Sequence, residues 1–425
     1  MTLNKISWVT SLKKNIPIWI NYLFVLYAFC IPISGTLTNA VFTSILILWV
    51  LEGNFKSKLL FALSQKFVQA LILFFLVHIL WLWSSGNSTF AIENIKNSRF
   101  LLYAIIYVSS IKKEFLYKIL NGFIYAMMFS EIASYLIHFQ IIAPFNNATI
   151  SDPVPFALSH TSYALYLGLS IGLMLFTALQ NKKNLKLRLF YFFFFITASA
   201  NIFLIASRFG FILYATSILI VFIYTYKEYS KKIILFTIPL IIIGYSLAYT
   251  FSFTFKERIN ITITNTKKVI ENKDFGTSLG TRVGNWYYAL KLIPENFFFG
   301  VGDGDQITAF MDKVTQDNSP YKGILLHNLQ NGIHSELMDV FVTFGMIGFL
   351  IYLNIYFQLY SLKPKEQIFN ILQVLLVVVF LLSAIQGGAI ILMVKDLGKT
   401  FTLLGSLILI SSIKDYYSSN LTKNQ

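Results

Sequence analysis

Apolar residues in this chain come in long unbroken runs, such as Ile233–Phe253, separated by short polar clusters. A membrane β-strand would alternate apolar and polar residues, so runs of this length predict spanning helices and exclude a barrel. The pattern places twelve spans at about 17–36, 38–52, 67–84, 99–111, 115–139, 157–179, 188–206, 209–226, 233–252, 337–361, 367–393 and 399–413. Residues 253–336 break the rhythm, because no apolar run there is long enough to span. A connection of that length is usually functional. Inside it Val283, Trp286, Leu290 and Ile293 recur three or four apart, which predicts an amphipathic helix over Arg282–Glu295 with Pro294 near its end.

Composition agrees with a membrane chain. Of 425 residues, 56% are hydrophobic and 12% charged, against about 25% charged in a soluble domain, and the mean hydropathy is +0.65. A soluble enzyme and a disordered chain are excluded. The formal charge is +15, but its placement makes it a topology signal. Most Lys and Arg residues fall in alternate loops, including Lys13, Lys14, Lys56, Lys66, Lys182, Lys183, Lys231 and Lys232, while the short loops opposite hold Lys96, Arg99, Arg208, Lys395 and Lys399. By the positive-inside rule both termini are expected in the cytoplasm, with an even number of spans. The dispersed basic pairs do not make a nucleic-acid footprint. The expected fold class is thus an all-α polytopic integral membrane protein of about 12 transmembrane helices. Residues 1–252 hold spans one to nine, 253–336 a large, partly helical periplasmic loop, and 337–425 spans ten to twelve with a cytoplasmic tail.

The lone cysteine, Cys30, allows no internal disulfide and no Cys-based metal site. The five histidines show no spacing that sets two ligands on one helix face, so no metal is expected. Ile16–Ile33 is long enough to span and remain, so no cleavable leader is expected.

Candidate chemistry gathers at the side of the membrane that carries the loop. Arg208 lies in Ser207-Arg208-Phe209-Gly210, between two apolar runs with almost no loop. It either snorkels to lipid head groups or meets a partner or anionic ligand at the boundary. Arginine is rare here, five against 29 lysines, and its planar fork suits phosphate oxygens better than an ammonium does. Arg282 ends Thr277-Ser278-Leu279-Gly280-Thr281-Arg282 near a helix start, where anions are favoured. Arg258 is a third candidate. His334, in His334-Ser335-Glu336-Leu337-Met338-Asp339, is the side chain best suited to accept a proton near neutral pH, with His327 in Leu326-His327-Asn328 as its competitor. Glu336 and Asp339 share a helix face and are possible supporting groups. His160, opening span six, is a candidate for an acceptor pocket. Glu131 and His138, seven apart in span five, read as a structural pair or a proton relay, and Lys395-Asp396 as a surface ion pair or a pocket element.

Three of these elements, in order, resemble the bacterial O-antigen ligase and polymerase superfamily of multispan glycosyltransferases. They are Ser207-Arg208 at a span start, then Thr277–Arg282 leading through Trp286 to Phe299-Gly300-Val301-Gly302, then His334–Leu337 running to Phe344-Gly345-Met346-Ile347-Gly348. The family writes its last element roughly as His-Asn, with a glycine eleven residues on. Gly345 keeps that distance from His334, whereas Ser335 departs from the pattern and His327-Asn328 offers another register. The resemblance implies a GT-C-like fold and an undecaprenyl-diphosphate-linked glycan donor. It further implies inverting transfer to a sugar hydroxyl of the lipid A core on the periplasmic side of the inner membrane, in lipopolysaccharide biosynthesis, without metal, nucleotide or other cofactor. Arg208, Arg282 and Arg258 would hold the diphosphate and His334 would be the base. The ligase is the preferred member. A polymerase that extends lipid-linked glycan would use the same residues, and a secondary transporter or lipid-linked glycan flippase is the reading from a different class.

Overall fold

In the computed structural model, residues 2–146, 148–156, 158–317, 320–328, 333–386 and 395–413 are described, and among them every regular element is helical. The first part of the chain forms α1 (Thr2–Cys30), α2 (Gly35–Glu52), α3 (Phe55–Leu63), α4 (Lys66–Leu80), α5 (Ser88–Ser98), α6 (Tyr103–Ser110), α7 (Leu116–His138), α8 (His160–Gln180), α9 (Leu185–Asn201), α10 (Arg208–Thr225) and α11 (Ser230–Phe251). The region without a spanning run folds into α12 (Phe253–Asn272), α13 (Ser278–Glu295), α14 (Gln306–Gln316) and α15 (Lys322–Asn328). The chain then continues with α16 (Glu336–Tyr360), α17 (Gln367–Gln386) and α18 (Lys395–Ser412).

Eight spans among the described residues are long and apolar enough to cross a membrane, in α2, α4, α7, α8, α10, α11, α16 and α17, so the chain is a multi-pass membrane protein. The remaining expected spans fall on shorter or more polar helices. The apolar part of α1 is Asn15–Cys30, α9 has 17 residues, and α18 opens with Lys395, Asp396 and Lys399. The span expected over 99–111 is instead a 3₁₀ turn, Arg99–Leu102, followed by the eight residues of α6. At 1.5 Å per residue α6 rises about 12 Å, less than half of a hydrocarbon core.

Helix α8 is the central post: 89% of its span is buried, against 11% for α11, which presents its apolar side chains outward to lipid. Neighbours approach α8 closely because Gly168 and Gly172 leave room. A Cβ at these positions would lie 2.9 Å from the Leu213 side chain of α10 and 2.7 Å from that of Leu375 on α17. The 253–336 region has a small core of its own, built from Tyr288, Leu292, Phe310, Val314 and Leu325. Helix α13 forms as expected but buries a different face. Thr281, Gly284, Asn285, Tyr288, Ala289 and Leu292 point inward, and Leu290 is 55% exposed. Its small residues allow contact with Phe275 and Leu325, and that close approach outweighs the wider apolar stripe.

Helix α16 is not one rod. Gly345 breaks it with φ 64° and ψ −166°, a conformation almost confined to glycine. Loop 297–302 fills the break. Val301 and Gly302 donate to the carbonyls of Val342 and Thr343 (2.8 and 3.1 Å), while Met346 and Ile347 donate to Phe297 and Phe298 (2.7 and 3.3 Å). Backbone groups freed inside an apolar bundle are thereby paired again. The two arms fold toward each other: Glu336 interacts with Tyr352, which a continuous helix would carry about 24 Å away.

Candidate active site

Three helices begin at one place. Ser159 caps α8 by accepting from Ser162 N–H (3.1 Å), Ser207 caps α10 through Gly210 N–H (3.3 Å), and Thr277 caps α13 through Gly280 N–H (3.0 Å). Each is a hydroxyl residue set just before a helical run, the usual way to satisfy one of the first-turn donors. Their first turns enclose a cleft of about 210 Å³ lined by His160 and Thr161 of α8, Ser207, Arg208 and Phe209 of α10, Ser278 and Arg282 of α13, and Arg258 of α12. Three helix N-termini and three guanidinium groups facing one space give it a positive potential that would attract an anion.

The three arginines carry like charges, and Arg258 and Arg282 disfavour the charge on Arg208. Arg208 Nη1 donates to Ser278 Oγ (3.2 Å), while its Nε and Nη2 are buried without a partner. Burial pushes Arg282 below the usual arginine range, although an arginine stays protonated. Such a cluster is costly alone, and a multiply charged oxyanion would offset the repulsion.

His334 stands beside this cluster with its backbone in the left-handed region, φ 60°. Ser335 follows as the cap of α16, accepting from Met338 N–H (3.4 Å), so the residue that departs from the family pattern fixes the helix start. Burial, and after it the charge of Arg282, push His334 below the ordinary histidine value. It is therefore neutral near pH 7 and able to accept a proton.

The structure brings Arg208, Arg258, Arg282 and His160 into one cleft and sets His334 near Arg282. His327 is exposed on α15 and is not among the cleft residues. Glu336 and Asp339 are buried in the first arm of α16, with Asp339 Oδ1 3.4 Å from Thr343 Oγ1. Glu131 and His138 do not pair: Thr197 Oγ1 donates to Glu131 (2.8 Å), and His138 Nδ1 contacts the carbonyl of Ile150 (3.1 Å). Asp396 lies 3.6 Å from Lys399, and the side chain of Lys395 falls outside the described residues.

Two features escaped the sequence reading. Asp303 is buried between His78 Nδ1 (2.8 Å) and Asn94 Nδ2 (2.7 Å), and Asp305 accepts from the N–H groups of Gly86 (2.6 Å) and Asn87 (2.9 Å). These bonds tie the loop that clasps the break in α16 to α4 and α5. The available signal was a histidine inside an apolar run, which rarely goes unpaired. The second feature is Asp152, whose Oδ1 accepts from Ala206 N–H (2.9 Å) and whose Oδ2 is 3.9 Å from His160 Nδ1. It is the sole charged residue in 139–159.

A curated protein of Haemophilus influenzae (strain ATCC 51907 / DSM 11121 / KW20 / Rd), described as an uncharacterized protein, is 29% identical over 171 residues. That match covers 40% of this chain and 42% of the relative, so it spans less than half of either protein. Residues 192–353 match the family model described as O-Antigen ligase. That stretch contains Arg208, Arg258, Arg282, His334 and Gly345, and over it the chain is similar to the O-antigen ligase family.

Proposed function

We propose that the chain is an O-antigen ligase, a metal- and nucleotide-independent inverting glycosyltransferase. It moves a glycan from undecaprenyl diphosphate to a sugar hydroxyl of lipid A core, at the periplasmic face of the bacterial inner membrane, with both termini in the cytoplasm. The observation that carries this reading is the cleft in which three arginines meet three helix starts. Arg208 and Arg282, with Arg258, bind the diphosphate. His334 takes the proton of the acceptor hydroxyl as its oxygen attacks the anomeric carbon. The bond from that carbon to the phosphate oxygen breaks, and its electron pair leaves on the diphosphate, where the arginines stabilise it. Diphosphate is a good leaving group, so positioning and electrostatics supply the rate. Between the end of α9, α10 and α11, an apolar groove of about 300 Å³ lined by Phe203, Leu204, Tyr214, Leu247 and Phe251 suits the polyprenyl chain.

The test is transfer by the purified protein from a polyprenyl-diphosphate-linked glycan, with and without lipid A core. Glycan on lipid A core is the expected product, reduced by about 10²-fold or more in His334→Ala and Arg282→Ala. Longer lipid-linked glycan in both reactions would replace the ligase with a polymerase. Movement of substrate across liposomes without transfer would replace the enzyme with a transporter.

A further inference from the structure

At the rim of the arginine cleft, outside residues 192–353, a carboxylate faces a histidine. Asp152 is held by its own turn, where its N–H bonds Thr149 Oγ1 (2.9 Å), and by Ala206 N–H, which donates to its Oδ1. Its other oxygen faces His160 Nδ1 at 3.9 Å, and His160 itself lines the cleft. A bare carboxylate here would repel the anion that the arginines attract. Paired with His160 it acts differently: a carboxylate that accepts from Nδ1–H fixes the ring and leaves Nε2–H to donate on the far side.

We propose that Asp152 and His160 form a further donor-binding pair, in which Asp152 orients His160 and His160 Nε2–H donates to a diphosphate oxygen in the arginine cleft. This rests on the reading of the cleft as the diphosphate site. His160 binds the donor, and Asp152 is a positioning residue. The pair strengthens its hold as charge builds on the departing oxygen, because a hydrogen bond to an anion gains with the charge on its acceptor. At 3.9 Å the two groups are within ion-pair but not hydrogen-bond range, and the proposed pair closes that gap when His160 binds the donor.

The probe is inorganic pyrophosphate, measured by direct binding to the full-length purified protein, so that the proton transfer at His334 does not enter. His160→Ala should weaken binding by about tenfold, the size of one charge-assisted hydrogen bond. His160→Gln, which keeps an N–H donor, should recover most of the loss. Asp152→Asn keeps an acceptor for Ala206 N–H but removes the charge, so it should weaken binding about threefold to fivefold with an unchanged melting temperature. Wild-type affinity in His160→Ala, with binding lost in Arg282→Ala, would overturn the pair and leave the diphosphate site standing. Wild-type affinity in Asp152→Asn would reduce Asp152 to a structural brace and overturn its positioning role. No pyrophosphate binding by the wild type, or none lost in Arg282→Ala, would overturn the diphosphate site and the pair with it.

Discussion

Two polar clusters lie in this apolar molecule, and they differ in how their hydrogen bonds are spent. Around Asp303 both carboxylate oxygens are taken, one by His78 and one by Asn94, and Asp305 closes on two backbone N–H groups. His78 packs its ring against Phe74 and Phe344. In the arginine cleft the opposite holds: two guanidinium nitrogens of Arg208 are buried without a partner, and three like charges face one space. In the Asp303 cluster the carboxylate charge is spent inside the protein, with only Nε2 of His78 left without a partner, and it serves architecture. In the arginine cleft the positive charge has no such internal counterpart and is available to an anion that arrives.

That contrast is sharpest at Arg208. Arg208→Ala should lower glycan transfer by about 10²- to 10³-fold, as removal of a charge-stabilising donor does. The melting temperature should stay level or rise, because the protein loses a self-repelling charge and only the bond to Ser278. A melting temperature that falls in step with activity would make Arg208 a structural residue and erase the distinction between the two clusters.

The Asp303 cluster should behave in the reverse way. Asp303→Ala strips buried His78 and Asn94 of their partner and should cost about 3 kcal/mol, the penalty for breaking a buried pair. Transfer per folded molecule should fall by less than about tenfold. Thermal unfolding in detergent, together with activity normalised to folded protein, separates these effects. Unchanged stability would show that the Asp303 contacts contribute nothing to the fold.

The arginines were legible in the sequence because each stands where a charge is costly or at a helix start: Arg208 with no loop to hold it, and Arg282 just past the Thr277 cap. The side chain that begins a helix can be read locally, whereas the meeting of three helix starts depends on how α8, α10 and α13 pack. The Asp303 contacts were hidden for the same reason, since His78 lies 225 residues away along the chain. Gly345 was read as part of a motif, but its role as a break depends on Phe297–Gly302 arriving from outside the helix. The 99–111 stretch misled because apolar content reports burial, and α6 is buried among neighbours without being long enough to cross.

The smallest expected effect is the most specific to His334. Burial and the nearby Arg282 disfavour its charged form and hold its value below the ordinary 6.5. A base must be neutral to accept a proton, so kcat/KM should rise with pH through that lowered value and be level by neutral pH. The acidic limb should therefore fall below pH 6.5. Arg282→Lys keeps the positive charge and should leave the limb in place, while Arg282→Gln removes it and should move the limb upward. The profile is to be measured on the residual transfer of each variant with donor and acceptor well below KM, where the rate reports kcat/KM and hence the base in the free enzyme. A limb above 6.5 in the wild type, or one that does not move in Arg282→Gln, would mean that the titrating base lies away from the arginines. The arginine cleft would then be a donor site alone, with the proton taken elsewhere.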